Sequence, residues 1–212
     1  MVSVADLPTR WGAFRIVAFT PDSAGAEHFA IVRGDVRGAS AVPVRVHSEC
    51  VTGDVLGSLR CDCHEQMQAT LESLGRLPRG ILLYMRQEGR GIGLVNKVRA
   101  YALQDRGHDT VDANHLLGFG DDERDYGIAA GMLAALGVRS VELMTNNPRK
   151  LRGLREAGVR VVRRIPMVTT VNRFNISYLL AKQKRSGHLL SVIEPPAPHP
   201  SSSPTATPPA RA

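Results

Sequence analysis

The stretch Ile81-Leu82-Leu83-Tyr84-Met85-Arg86-Gln87-Glu88-Gly89-Arg90-Gly91-Ile92-Gly93-Leu94 decides the fold. Residues 81–85 form a short, unbroken apolar run. A strand buried on both faces reads this way, whereas a strand with one wet face alternates. From Leu94 the period changes, and Leu94, Val98 and Ala102 recur at helical spacing up to Gln104. A buried strand passing through a glycine-rich turn into a helix is the building unit of an α/β protein.

The pattern extends outward in both directions. Residues 12–19 and 28–33 read as neighbouring strands, and residues 42–47 as a third with Pro43 near its start, where a missing donor is tolerated. Residues 66–74 carry Met67, Leu71 and Leu74 on one helical face and stop near Gly75. Downstream, residues 128–136 form an apolar-faced helix ended by Gly137, and 141–144 a strand. Asn147 caps a helix that opens at Pro148 and ends before Gly158. Residues 159–165 return as a strand and 176–184 form a last helix. The expected fold is α/β, a three-layer sandwich with a mixed β-sheet flanked by helices. Residues 1–193 form one unit without internal repeats. Residues 194–212 hold seven of the thirteen prolines and no large apolar side chain, so they are expected to be a disordered tail.

Composition narrows the function. A hydrophobic content of 43% and a charged content of 22% are those of a globular domain. No apolar run reaches membrane-spanning length, and the N-terminus lacks the basic and apolar regions of a secretory signal. With free thiols and no signal, a reducing cytoplasm is the expected location and no membrane is involved. The net charge of +7 asks for an anionic partner. Aromatic residues make up only 5%, too few for the stacking platforms of single-strand binding, so no nucleic-acid partner is expected.

All three cysteines, Cys50, Cys61 and Cys63, fall within fourteen residues. Three soft ligands at this spacing point to zinc with one coordination position open, the pattern of a catalytic metal. Two other readings stay open here: a closed structural zinc completed by His47 or His64, and three thiols packed as small apolar side chains. Two further segments suit phosphate. The turn 86–93 offers alternating glycines, Arg86, Arg90 and a following helix N-terminus, but its spacing is neither a dinucleotide fingerprint nor a P-loop. Residues 145–150 surround a helix start with a hydroxyl, two amides and two cations. Each is weak alone, as is the acidic stretch 121–125 around Arg124, which also reads as a solvated loop before a helix.

Taken together these segments resemble GTP cyclohydrolase II. The resemblance rests on Arg45-Val46-His47-Ser48-Glu49-Cys50-Val51-Thr52-Gly53-Asp54, Ser58-Leu59-Arg60-Cys61-Asp62-Cys63, residues 86–94 and 99–105, Asp122-Glu123-Arg124-Asp125, and Thr145-Asn146-Asn147-Pro148. It runs from about Leu7 to Leu190 and implies a cytoplasmic, homodimeric hydrolase. The implied reaction is the first step of riboflavin biosynthesis: GTP, with Zn2+ and Mg2+, gives 2,5-diamino-6-(5-phosphoribosylamino)pyrimidin-4(3H)-one, formate and pyrophosphate. By the same residue-wise matching, Cys50, Cys61 and Cys63 hold one zinc per chain. Arg45, Val46, His47, Ser48, Glu49, Gln66, Glu88, Gly89, Arg90, Thr110, Thr145 and Lys150 contact GTP. Tyr101 acts near C8 of the base. Asp122 and Arg124 match a proton acceptor and a nucleophile for pyrophosphate release, although a guanidinium is a poor nucleophile and charge stabilisation is its easier role. A binding protein without turnover, and a related cyclohydrolase that keeps the formyl group, are the competing functions.

Overall fold

The computed structural model describes residues 1–190 except 22, 24, 121 and 168–170. The expected boundary at residue 193 and the tail beyond it lie outside the described residues. Seven strands form one mixed sheet: β1 (Ser3–Thr9), β2 (Gly12–Ala18), β3 (Phe29–Arg33), β4 (Val42–Ser48), β5 (Gly80–Met85), β6 (Val141–Met144) and β7 (Val161–Ile165). Their spatial order is β1-β2-β3-β5-β4-β6-β7. β5 pairs antiparallel with β3 on one side and parallel with β4 on the other, and the parallel run continues through β6 to β7.

The unbroken apolar reading of residues 81–85 is explained by two cores. Ile81, Leu83 and Met85 face one cluster with Val42, Val44 and Val46 of β4 and with Ala129, Met132 and Leu133. Leu82 and Tyr84 face the other, with Leu71, Leu74 and Phe14. Successive strand side chains point to opposite faces, so β5 must be apolar at every position. Helix α1 (Cys63–Gly75) covers the second face, and α4 (Gly127–Ala135) with α5 (Pro148–Glu156) covers the first, completing three layers. Each fully buried leucine of this kind contributes about 2–3 kcal/mol through removal from water.

Topology places the site. The chain leaves β4 through α1 to reach β5 on one side, then returns through α2 (Gly93–Gln104), α3 (Thr110–Leu116) and α4 to β6 on the other side of β4. The two connections cover opposite faces, so a crevice opens beyond the carboxyl end of β4, where α/β sheets bind ligands. Ser48 and Met85 sit side by side in the β4–β5 ladder, so the segments after both strands emerge together. Helix α6 (Ile176–Ser186) ends at Gly187 in the left-handed conformation.

Two elements escaped the sequence reading. β1 is an edge strand with four exposed residues in succession and Pro8 inside it, so it has no buried alternation to read. The seven-residue α3 has too few turns for a period; Asp109 caps it through the Asp112 amide at 2.8 Å, and Arg185 of α6 reaches Asp112 at 2.7 Å. Among the described residues no helix is long and apolar enough to cross a membrane.

Candidate active site

The end of β4 turns at once into a single wide helical turn, Val51–Val55, which brings Cys50 back toward the start of α1. There Cys50, Cys61 and Cys63 place their sulfurs within 4.8 Å of one another. Gly53 is required at the centre of this turn. A Cβ at that position would lie 2.9 Å from the Cys61 sulfur, 3.0 Å from Cys63 Cβ and 3.1 Å from the Cys50 sulfur. Asp54 locks the turn to the sheet by accepting the Cys50 amide at 3.0 Å and the Tyr84 hydroxyl at 2.9 Å, with His47 Nε2 3.0 Å away.

The alternative ligands are committed elsewhere. His47 is buried against Asp54 and stacks on Tyr84, with ring centroids 5.6 Å apart. His64 Nε2 lies 2.6 Å from the Gln68 amide on the exposed side of α1. Among the described residues the metal-capable group at this spot is the three thiols alone. Its chemistry fits a soft cation. Hydrogen bonds from Cys61 and Cys63 and the nearby Lys97 charge hold the Cys50 thiol far below its ordinary value. Cys50 in turn pushes Cys61 up to about 11 and raises Cys63 further. One thiolate is accommodated without help, but three need a positive ion between them.

The thiols open into a cleft lined by Ser48, Glu49, Glu88, Arg90, Tyr101 and Thr110 among others. Tyr101, on α2, brings its hydroxyl 3.4 Å from Thr52 Oγ1, which lies 3.6 Å from the Cys50 sulfur. Burial raises the Tyr101 pKa, so the group remains a phenol at neutral pH. Glu49 lines the cleft with only a long contact to Arg86, 3.8 Å, and burial raises its pKa. Glu88 is engaged within the protein: it accepts from Lys97 Nζ at 2.6 Å and from the Val51 and Gly89 amides at 2.7 Å each. Sequence reasoning passed over Lys97: it took Leu94, Val98 and Ala102 as the stripe of α2, but these are exposed and Lys97 and Ala100 are the buried positions.

A second chamber of about 650 Å³ adjoins the first and shares Ser48, Cys63, Arg90, Arg124 and Tyr178 with it. It collects Arg45, Arg90, Arg124, Lys150 and Lys182, together with Gln66 and Thr145. Arg45 donates to the Met144 carbonyl at 2.9 Å and to Gln66 Oε1, while its Nε finds no partner among the described residues. Lys150 donates to the Val46 carbonyl at 2.6 Å; burial, then the Arg45 and Arg124 charges, hold its pKa well below the ordinary value. Val46 itself is a core residue, 1% exposed, and offers the chamber only its backbone. Buried cations in mutual repulsion, with donors unspent, suit a polyanion. Asp62, 0% exposed between two of the cysteines, takes Lys182 at 2.7 Å and the Gln66 amide at 2.5 Å.

Arg124 and Asp122 form a two-pronged pair, with both nitrogen–oxygen distances 2.6 Å. Burial opposes ionisation of both, yet the pair prevails: Asp122 lies below its ordinary pKa and Arg124 above. Asp122 stands behind Arg124, outside the linings of both chambers, and Arg124 Nη1 reaches Ser48 Oγ at 3.4 Å. The glycine turn packs directly on this loop. The Glu123 amide donates to the Arg90 carbonyl at 2.9 Å, and Arg90 itself adopts φ 65°, an uncommon conformation for a side-chain-bearing residue. Of the residues expected at the site, all except Asp122 and Val46 line one or the other chamber.

Comparison with known proteins places the chain in a family. The family model for GTP cyclohydrolase II matches residues 1–166. The chain is 54% identical over 190 residues to the GTP cyclohydrolase-2 of Cronobacter sakazakii, covering 90% of this chain and 96% of that protein. It is equally similar to that of Escherichia coli O9:H4, of which it covers 97%. A two-domain 3,4-dihydroxy-2-butanone 4-phosphate synthase from A. baumannii aligns at TM-score 0.46 with 19% identity, over 80% of this chain and 40% of that one, too remote for any inference. The family match over most of the chain and the 54% identity to these enzymes show that this chain belongs to the GTP cyclohydrolase II family.

Proposed function

We propose that the protein hydrolyses GTP to 2,5-diamino-6-(5-phosphoribosylamino)pyrimidin-4(3H)-one, formate and pyrophosphate as the first step of riboflavin biosynthesis. One zinc sits on Cys50, Cys61 and Cys63, and magnesium accompanies the triphosphate. The observation that carries this reading is the junction of a three-thiol cluster with a chamber holding five cations. When bound, zinc supplies the Lewis acidity that makes water nucleophilic toward C8, a weak electrophile.

The chain's own groups do the rest. Tyr101, kept as a phenol by burial, donates a proton near C8 as the imidazole ring opens. Glu49 is better placed than Gln66 to read the guanine edge, because both ends of the Gln66 amide are already bonded to Arg45 and Asp62. Arg45, Arg90 and Lys150 bind the triphosphate, with the Gly89–Arg90 backbone and Thr145 at its sides. His47 keeps the Cys50 turn in place through Asp54, and Thr110 borders the base at the cleft wall. Arg124 stabilises charge on the α-phosphate, since its pairing with Asp122 keeps the guanidinium protonated and correctly turned. The working form is taken as a cytoplasmic homodimer, as the family resemblance implies.

The test is incubation of zinc-loaded protein with GTP and magnesium while product mass, formate and pyrophosphate are followed. Equimolar formate and pyrophosphate support the proposal. A product that retains the formyl mass, or binding without turnover, rejects it.

A further inference from the structure

Lys97 is the buried cation of the thiol cluster that none of the functional roles above uses. It is 9% exposed, on α2, and its ammonium donates to the Cys50 sulfur at 3.0 Å. The same nitrogen lies 2.6 Å from Glu88 Oε1. Glu88 is itself fixed by two backbone amides, one of them Val51, the residue after Cys50. The lysine is therefore aimed from two sides: by the helix that carries it and by a carboxylate tied to the very turn that presents the sulfur. A simple counter-ion of Glu88 would need no second contact with a thiol.

We propose that Lys97 is a positioning residue that tunes the metal centre through Cys50. The inference rests on the zinc reading above. An ammonium N–H bonded to a thiolate draws electron density from the sulfur, so three thiolates donate less charge to the ion they hold. A trithiolate set makes an electron-rich metal and a weak Lewis acid; one charge-assisted hydrogen bond to a ligand atom offsets this. Lys97 also balances the burial of anionic sulfur, and Glu88 serves to hold it.

The test uses three variants of the full chain: Lys97→Met, Lys97→Arg, and Lys97→Met combined with Glu88→Gln, which avoids a stranded buried carboxylate. Each is loaded with cobalt(II) and its thiolate-to-cobalt charge-transfer band recorded; each zinc form is assayed for kcat and KM. Both methionine variants should shift the band to longer wavelength and lower kcat for formate release by about 10–100-fold with KM for GTP little changed. Lys97→Arg should restore much of both. An unmoved band with unchanged kcat in the double variant overturns the proposal, leaving Lys97 a structural partner of Glu88. Loss of metal from all three variants also overturns it, in favour of a folding role. Failure of the unaltered chain to bind cobalt would instead sink the zinc reading.

Discussion

Gly53 shapes the thiol cluster by having no side chain of its own. Gly53→Ala places a methyl group about one van der Waals overlap into two sulfurs at once, so zinc affinity should fall by about 10–100-fold, as for loss of other groups that orient ligands; chelator competition measures it, and unchanged affinity would mean that the turn relaxes. Tyr101→Phe removes the phenol beside the thiols but nothing from the cationic chamber. Formate release should drop steeply while some pyrophosphate release persists. Equal loss of both would mean that phosphate cleavage waits on ring opening, or that Tyr101 lies elsewhere in the reaction. At Arg124 the choice is between charge and nucleophile. Arg124→Lys should keep substantial pyrophosphate release with no phospho-enzyme by mass, because a point charge retains part of the stabilisation and loses only the planar fork; a phosphoguanidine adduct on Arg124 would contradict this. The thiols and the cations that line the chamber were legible in the sequence because residue type announces such chemistry. Lys97, Asp54 and Asp62 were not, since their roles come from what the fold sets beside them.

At the scale of elements, most strands and helices that bury a regular face were readable from their periods, and β5 most plainly because both its faces are covered; in α2 the helix was readable but its face was not, since Leu94, Val98 and Ala102 are exposed and Lys97 and Ala100 are buried. β1 and α3 were missed because pairing to β2, and ion pairs from α6, hold them in place of a buried stripe. The segment after α6 is of the same kind. Leu189 donates to the Asn146 carbonyl at 2.8 Å and so brings His188 to the cationic chamber, where its Nδ1 has no partner among the described residues. Burial, then Lys182, Arg90, Arg124 and Lys150, pull its pKa from 6.5 down to about 3. The unfolded chain therefore takes the proton first. The stability tied to neutral His188 is complete above about pH 6.5 and is lost as pH falls toward 3. The difference in urea midpoint between pH 7 and pH 5 should shrink in His188→Asn; an unchanged difference would show that the imidazole is not confined there.

For the whole molecule, a mixed sheet whose chain switches sides at β4 sets three strand ends around one crevice, and each end carries a different tool: thiols after β4, the glycine turn after β5, amides and Lys150 after β6. The sequence showed the thiols plainly but the two phosphate-suited segments only as separate weak signals, and the topology brings all three to one crevice. The central claim is that the three thiols form a metal centre on which turnover depends. Its most direct test is a zinc titration of metal-free protein with GTP and magnesium in excess. The account predicts that formate release is negligible at the start, rises linearly with added zinc and levels off at one equivalent per chain. Full formate release from the metal-free protein, or saturation at a different stoichiometry, would contradict it.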